Sequence, residues 1–186
     1  MKDIKSNLHG GGSKTNRVGL SYEKTVSIIT FLLAQKNYIV TPLNNKDNYF
    51  SVQYKNKEIG KIYQKHAFYH EFLPQFGIEH KTILSKRLFP DSSLYIPGNK
   101  EIIIIEVKSQ NREGSVDEKL QTCAFKLRQY KKLLKQVNIK VRYIYILNEW
   151  FRKSKYRDTL NYVHEAGCDY YFNSIPLSIL GLPYPN

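Results

Sequence analysis

Apolar positions recur along this chain with a spacing that changes from one segment to the next. Tyr22, Val26, Ile29 and Leu33 fall three or four residues apart, which puts side chains on one helical face. The pattern predicts a helix over 21–36, with Ser21 as its N-cap. Residues 38–83 hold no steady period. Tyr49-Phe50-Ser51-Val52 is strand-like, whereas the aromatic and histidine-rich run from His66 to Phe76 receives no assignment, and Pro74 and Gly77 mark a break near its end. Tyr63, Phe68, Tyr69 and Phe72 read as core or subunit interface rather than a base-stacking platform.

Residues 86–109 read as a hairpin. Leu94-Tyr95-Ile96 forms one strand, Pro97-Gly98-Asn99-Lys100 supplies turn chemistry, and Glu101 to Ser109 forms the other. The continuous run Ile102 to Ile105 predicts a central strand covered on both faces. Residues 115–137 predict the strongest helix, opened by a Ser115–Glu118 capping box. Its core stripe is Leu120, Ala124, Leu127 and Leu134, and Gln121, Arg128, Lys132 and Lys135 form a second, basic stripe. A strand over Val141 to Leu147, a helix over Glu149 to Glu165 and a short strand at Tyr170-Tyr171-Phe172 follow, before a tail punctuated by Pro176, Gly181, Pro183 and Pro185. The alternation predicts an α/β fold with a mixed sheet flanked by helices. Residues 19–186 read as one domain behind a flexible basic arm, 1–18, that carries Lys2, Lys5, Lys14 and Arg17 and the run Gly10-Gly11-Gly12-Ser13.

Charge changes the picture. Of 186 residues, 29 are Lys or Arg and 16 are Asp or Glu, a formal net charge of +13 that points to a polyanionic partner, nucleic acid above all. Fifteen tyrosines and nine phenylalanines argue against disorder. Cys123 and Cys168 are too few for a disulfide framework or a zinc site. No apolar leader precedes the domain and the longest apolar run is far too short to span a bilayer, so the expected location is cytoplasmic, with no membrane partner. His66 and His70 could face zinc from one helix, with Glu71 beside them, but a structural site needs four ligands.

The candidate chemistry lies on the hairpin. Glu106 and Lys108, two apart on a strand, share a face, as Gln110 would if the strand ran that far. With the turn centred on Gly98-Asn99, Pro97 faces Lys100, and counting outwards brings Asp91 opposite Glu106. Opposed carboxylates destabilise a sheet unless a cation lies between them. Mg²⁺ takes such oxygens, and the Val107 carbonyl is a further candidate ligand. A bound metal would activate water on a phosphodiester, with Lys108 offsetting charge in the transition state, a task eased if burial lowers its pKa. Against this stands the plainer reading: E-x-K on a solvated strand, Pro-Asp as a turn pair, and a non-catalytic basic module that binds nucleic acid through the stripe on 115–137.

Pro90-Asp91, fourteen intervening residues, then Glu106-Val107-Lys108 resembles the motif of the PD-(D/E)XK nuclease superfamily, most sharply over residues 86–130. The resemblance implies a restriction-endonuclease-like core, Mg²⁺ with Mn²⁺ as a substitute, and hydrolysis leaving a 5′-phosphate. It implies Asp91 and Glu106 as metal ligands and Lys108 as the catalytic lysine. Glu23 matches an acid that some members draw from the first core helix; a helix N-terminal acid favoured by the macrodipole is the alternative. Gln110, Gln121, Arg128, Lys132 and Lys135 are candidate DNA contacts. The run from Gly114 through Leu134 is similar to restriction endonucleases. In size and motif placement the chain resembles the small subunits of heterodimeric type IIS restriction enzymes. That implies double-stranded DNA as substrate and a large nicking subunit that reads an asymmetric site; a homodimeric type II enzyme is the alternative.

Overall fold

The computed structural model describes residues 20–46 and 48–185; the basic arm expected over 1–18 lies outside them. Seven strands form one sheet in chain order: β1 (Tyr38–Pro42), β2 (Tyr49–Tyr54), β3 (Lys57–Tyr63), β4 (Ser92–Ile96), β5 (Glu101–Lys108), β6 (Lys140–Leu147) and β7 (Asp169–Phe172). From β1 to β5 neighbours are antiparallel; β5, β6 and β7 are parallel. The helices are α1 (Ile28–Leu33), α2 (Val116–Leu120), α3 (Cys123–Leu134), α4 (Arg157–Glu165) and α5 (Leu177–Leu180). This is the α/β arrangement, a mixed sheet flanked by helices, that the residue pattern predicts. No helix of the described residues is long and apolar enough to cross a membrane.

The isoleucine run explains why β5 sits in the middle. Ile102 and Ile104 face one core, with Leu127 and Tyr130 of α3 and Leu160 and Val163 of α4. Ile103 and Ile105 face the other, with Ile28 and Leu32 of α1 and Leu177 and Leu180 of α5. All four are at most 1% exposed, and each such side chain contributes about 1.5–3 kcal/mol of burial. A 3-10 turn at Pro97–Asn99, with Lys100 left-handed at φ 46°, closes the hairpin. Its pairs run from Ile96 with Glu101 to Ser92 with Ile105, the register counted from the turn.

Several expected elements are shorter or differently built. The helix expected over 21–36 is broken: residues 20–25 are helical, so Ser21 lies inside rather than capping, and the chain restarts at α1. The Ser27 hydroxyl accepts from Thr30 N at 3.1 Å, capping the second piece. The break shifts the phase, so Ile28 and Leu32 are buried while Leu33 is 55% exposed. Ser115 caps α2 without a side-chain bond, so the capping box does not form. The helix also breaks before Cys123, where Thr122 Oγ1 donates to Lys119 O at 2.7 Å. Leu120, Leu127 and Leu134 are buried as expected; Ala124 is only half-buried, and Cys123, Tyr130 and Leu133 complete the core face. In place of a helix over 149–165 stand two 3-10 turns, separated by an extended Lys153, and then α4. The indole of Trp150 donates to the Tyr156 hydroxyl at 2.7 Å across those turns.

Residues 38–63 form β1 to β3, with the strand-like Tyr49 to Val52 on β2 as expected, and the unassigned run forms a π turn at Phe68–Phe72 and a 3-10 turn at Leu73–Phe76, closed by Gly77 at φ 66°. Tyr63, Phe68, Tyr69 and Phe72 are buried core.

Gly60 on β3 lies so close to β4 that an added Cβ would meet the Tyr95 carbonyl oxygen at 2.9 Å. Backbone cannot yield as a side chain does. Gly60→Ala is expected to cost about 1–3 kcal/mol, read as a lowered thermal midpoint; an unchanged midpoint would show that β3 and β4 can part freely.

Two tyrosines set an alkaline limit. Tyr22 donates to Leu147 O and Asn173 Oδ1 at 3.0 and 2.9 Å. Burial first, then the Glu149 charge, pushes its hydroxyl up to about 12. Burial first, then Tyr54, pushes Tyr38 up to about 12 as well. An unfolded chain sheds these protons near pH 10, whereas the folded chain keeps them. Their stabilisation is therefore complete below about pH 10 and declines as pH rises through about 12. Urea midpoints at pH 9, 10 and 11 should fall at the last step, and a flat series would contradict the two hydroxyl environments.

Candidate active site

The start of β4 and the end of β5 place three side chains at one point. Asp91 immediately precedes β4, and its Oδ2 accepts from Val107 N at 2.9 Å, which continues the hairpin one step past its last paired residues. Glu106 and Lys108 lie on the α3 side of β5. The Lys108 ammonium donates to Glu106 Oε2 at 2.8 Å, Val107 O at 3.0 Å and Asp91 Oδ2 at 3.3 Å. The three oxygens expected to hold a metal therefore converge on one small cation.

A fourth group completes the cluster. Lys126 on α3 reaches Glu106 Oε1 at 3.2 Å, so each oxygen of this carboxylate meets an ammonium. The sequence reading missed Lys126. The sequence holds only an ambiguous signal: Cys123, Lys126, Leu127 and Tyr130 fall at i, i+3, i+4 and i+7, so one lysine interrupts an apolar helical stripe. Side-chain exposure is 6% for Glu106, 18% for Lys108, 21% for Asp91 and 23% for Lys126. Charges held so far from water need partners, and two acids with two lysines give a neutral cluster.

Burial would pull Lys108 down, but the Glu106 and Asp91 charges and their hydrogen bonds outweigh it and hold its ammonium above the ordinary lysine value. This corrects the expectation that desolvation eases its proton away: Lys108 serves as a fixed positive charge. Phenols line the floor. Burial first, then the Glu106 charge, raises Tyr130 and Tyr143 far above the ordinary tyrosine range, so both stay neutral. The Tyr130 hydroxyl donates to Leu88 O at 2.9 Å and steadies the approach to Asp91.

Beside Asp91 a cleft of about 490 Å³ opens between the sheet end and residues 23–30. Glu23 lines it, but its carboxylate pairs with Lys65 Nζ at 3.4 Å. It shares the cleft with Asp91 and stands outside the four-residue cluster.

Other expected contacts fall elsewhere. β5 stops at Lys108, and Gln110 is 6% exposed. Its amide nitrogen donates to Arg112 O and Gly114 O at 2.8 and 3.1 Å, so Gln110 shapes its own loop and is no surface DNA contact. Asn148, also missed from the sequence, fixes this loop to the end of β6: its Oδ1 accepts from Gln110 N at 3.2 Å and its Nδ2 donates to Gln110 O at 2.9 Å. Gln121 is exposed between α2 and α3, and Arg128, Lys132 and Lys135 are exposed on α3 and its extension. None of the four touches the carboxylate cluster. The rings of His66 and His70 stack at 6.4 Å. Among the described residues no group of three or more His, Cys, Asp or Glu side chains is gathered at one point.

The donor set still suits a hard cation. Two carboxylates and a carbonyl, all oxygen, already surround one positive charge, which is the chemistry Mg²⁺ requires when water fills its other positions. Asp91, Glu106 and Val107 would hold it. No protein-family model matches this chain, and no curated protein matches it either.

Proposed function

We propose that this protein is a Mg²⁺-dependent DNA endonuclease whose reacting centre is Asp91, Glu106 and Lys108. One observation carries the reading: the oxygens of Asp91, Glu106 and Val107 converge within 3.3 Å of a single cationic nitrogen at the end of β5. When bound, the metal supplies Lewis acidity toward a phosphodiester and an acidified water. Asp91 and Glu106 set the negative field that draws a cation in. The Val107 amide holds the Asp91 carboxylate in orientation. Lys108 offers a permanent positive charge to the phosphate oxygens as negative charge builds there, and Lys126 keeps Glu106 turned toward the cluster. The net charge of +13 supports a polyanionic substrate. Mn²⁺ meets the same oxygen donors. In the fuller form of the proposal, the chain cuts one strand of double-stranded DNA beside a large subunit that reads the site, and alone it cuts poorly; a homodimeric type II enzyme is the alternative.

A second reading has its own observation. Both carboxylates are neutralised by lysines, as a purely structural ion cluster in a nucleic-acid-binding protein would require. Plasmid nicking against Mg²⁺ concentration, with and without a candidate large subunit, separates the two. The proposal expects nicking that rises with Mg²⁺ and is strongest with the partner. Salt-sensitive binding without cutting at any Mg²⁺ concentration would favour the structural cluster.

A further inference from the structure

Phe89 is two residues from Asp91 and 39% exposed, although Tyr69 beside it is buried. Its neighbours are specific. The Phe89 ring lies 4.4 Å from the His66 ring and 5.5 Å from that of Tyr69, and the Arg87 guanidinium carbon sits 5.2 Å from its centroid. The backbone that presents it is pinned on both sides. Leu88 O accepts from the hydroxyls of Tyr69 and Tyr130, Leu88 N donates to Tyr69 Oη, and Pro90 O accepts from Lys65 N at 2.9 Å. An exposed ring held this rigidly loses little freedom when something stacks on it.

Phe89 also packs against residues of two hollows, His66 of one and Tyr69 and Arg87 of the other. The first is the cleft that contains Asp91 and His66. The second, a groove of about 750 Å³, runs past Tyr69 and carries His70, His80, Lys81, Lys86 and Arg87 with one acid, Glu79. From Arg87 to Asp91 the chain advances four residues, at most about 14 Å, or about four base steps of a strand. A positive groove interrupted by an aromatic face is how proteins hold a single strand: the cations follow the backbone and the ring takes a base.

We propose that the cleft at Asp91 and the basic groove form one track for a nucleic-acid strand, with Phe89 under Arg87 receiving an unstacked base next to the phosphate that Lys108 and a cation bound at Asp91 would position. The substrate class is thereby narrowed to a strand that is single or locally opened at the cutting point. The inference rests on the nuclease reading for the role of Asp91, and binding measured without divalent metal tests it separately.

The test uses the full chain in EDTA. Binding is measured to a single-stranded oligonucleotide, to a fully paired duplex and to the same duplex with a short central bubble, each labelled with 2-aminopurine. Phe89→Ala and Phe89→Leu should each weaken single-strand and bubble binding about tenfold and abolish the stacking quench, with the paired duplex changed less than twofold. Phe89→Trp should restore both signals. Leucine keeps the apolar packing on His66, so its failure to rescue excludes a merely structural role. Lys86→Ser and Arg87→Ser should each reduce the slope of log affinity against log salt by about 0.7 on single strands. The track is overturned if the phenylalanine variants bind all three DNAs as the parent does, or lose all three equally. It is also overturned if Lys86 and Arg87 leave the salt slope unchanged, the result expected if the groove received an acidic protein surface. The expected binding pattern without cleavage in Mg²⁺, with and without a large subunit, would sink the nuclease reading and keep the track; Mg²⁺-dependent cutting with unaltered binding would do the reverse.

Discussion

Asp91→Asn is expected to abolish Mg²⁺-dependent nicking, a loss of at least about 10³-fold, with the fold intact. The asparagine oxygen can still accept from Val107 N, which holds Asp91 Oδ2 at 2.9 Å, so the local backbone keeps its bond and only the charge goes. Lys108→Met should be equally inactive for the opposite reason. It keeps the length of the side chain and removes the cation that, among the described residues, reaches Asp91, Glu106 and the Val107 carbonyl together. First-order nicking rates in excess Mg²⁺, beside a far-ultraviolet spectrum of each variant, give the answer. Either variant keeping more than about a tenth of the parent rate would remove the basis for placing the chemistry here. DNA binding by both variants should stay near parental, since +13 net charge dominates that term and one charge moves it little.

Glu106→Ala should carry the largest cost in stability, about 3–5 kcal/mol, because it leaves two poorly hydrated ammonium groups without their shared acceptor. Lys108 at 2.8 Å and Lys126 at 3.2 Å both lose their Glu106 oxygen, and only Lys108 retains a carboxylate, that of Asp91. Glu106→Leu combined with Lys126→Met should recover most of that loss, since it replaces a paired charge with apolar volume of similar size. Urea unfolding of the parent, the single variant and the double variant closes the comparison. A cost below about 1 kcal/mol for Glu106→Ala would mean that water already screens the cluster. This result bears on the packing alone; only the Asp91 and Lys108 rates distinguish a reacting centre from a structural ion cluster.

The residues that were legible in the sequence share one property: their partners are near in the chain. Asp91, Glu106 and Lys108 could be placed together because a tight turn at Pro97–Asn99 fixes a register and a strand alternates its faces, so counting suffices. Lys126 escaped because its partner is on β5, and nothing local tells a lysine that interrupts an apolar helix face from one that snorkels to solvent. Gln110 was misplaced for a related reason. Alternation would have kept it on the site's face, but β5 ends at Lys108 and Asn148, from the end of β6, captures the loop.

The helices divide in the same way. The sequence announced the helical regions that hold α1 to α4, though not α5 in the tail, and it could not show where backbone bonding would fail, at Ser27 and Thr122, since a hydroxyl's choice between its own backbone and water depends on what is packed above it. Of the three strands in residues 38–63, only the stretch Tyr49 to Val52 on β2 was legible; β1 and β3 escaped because part of each is exposed and their places are set by pairing along the sheet.

By itself, then, the amino-acid order determined the α/β layering, the central position of β5, the hairpin register and the meeting of two acids with Lys108, all consequences of short-range geometry and apolar periodicity. Tertiary structure alone decided the second lysine on Glu106, the pairing of Glu23 with Lys65, the raised proton affinity of Lys108 and the exposure of Phe89. Each of these depends on distances between segments far apart in the chain, and on how much water those segments exclude when they pack.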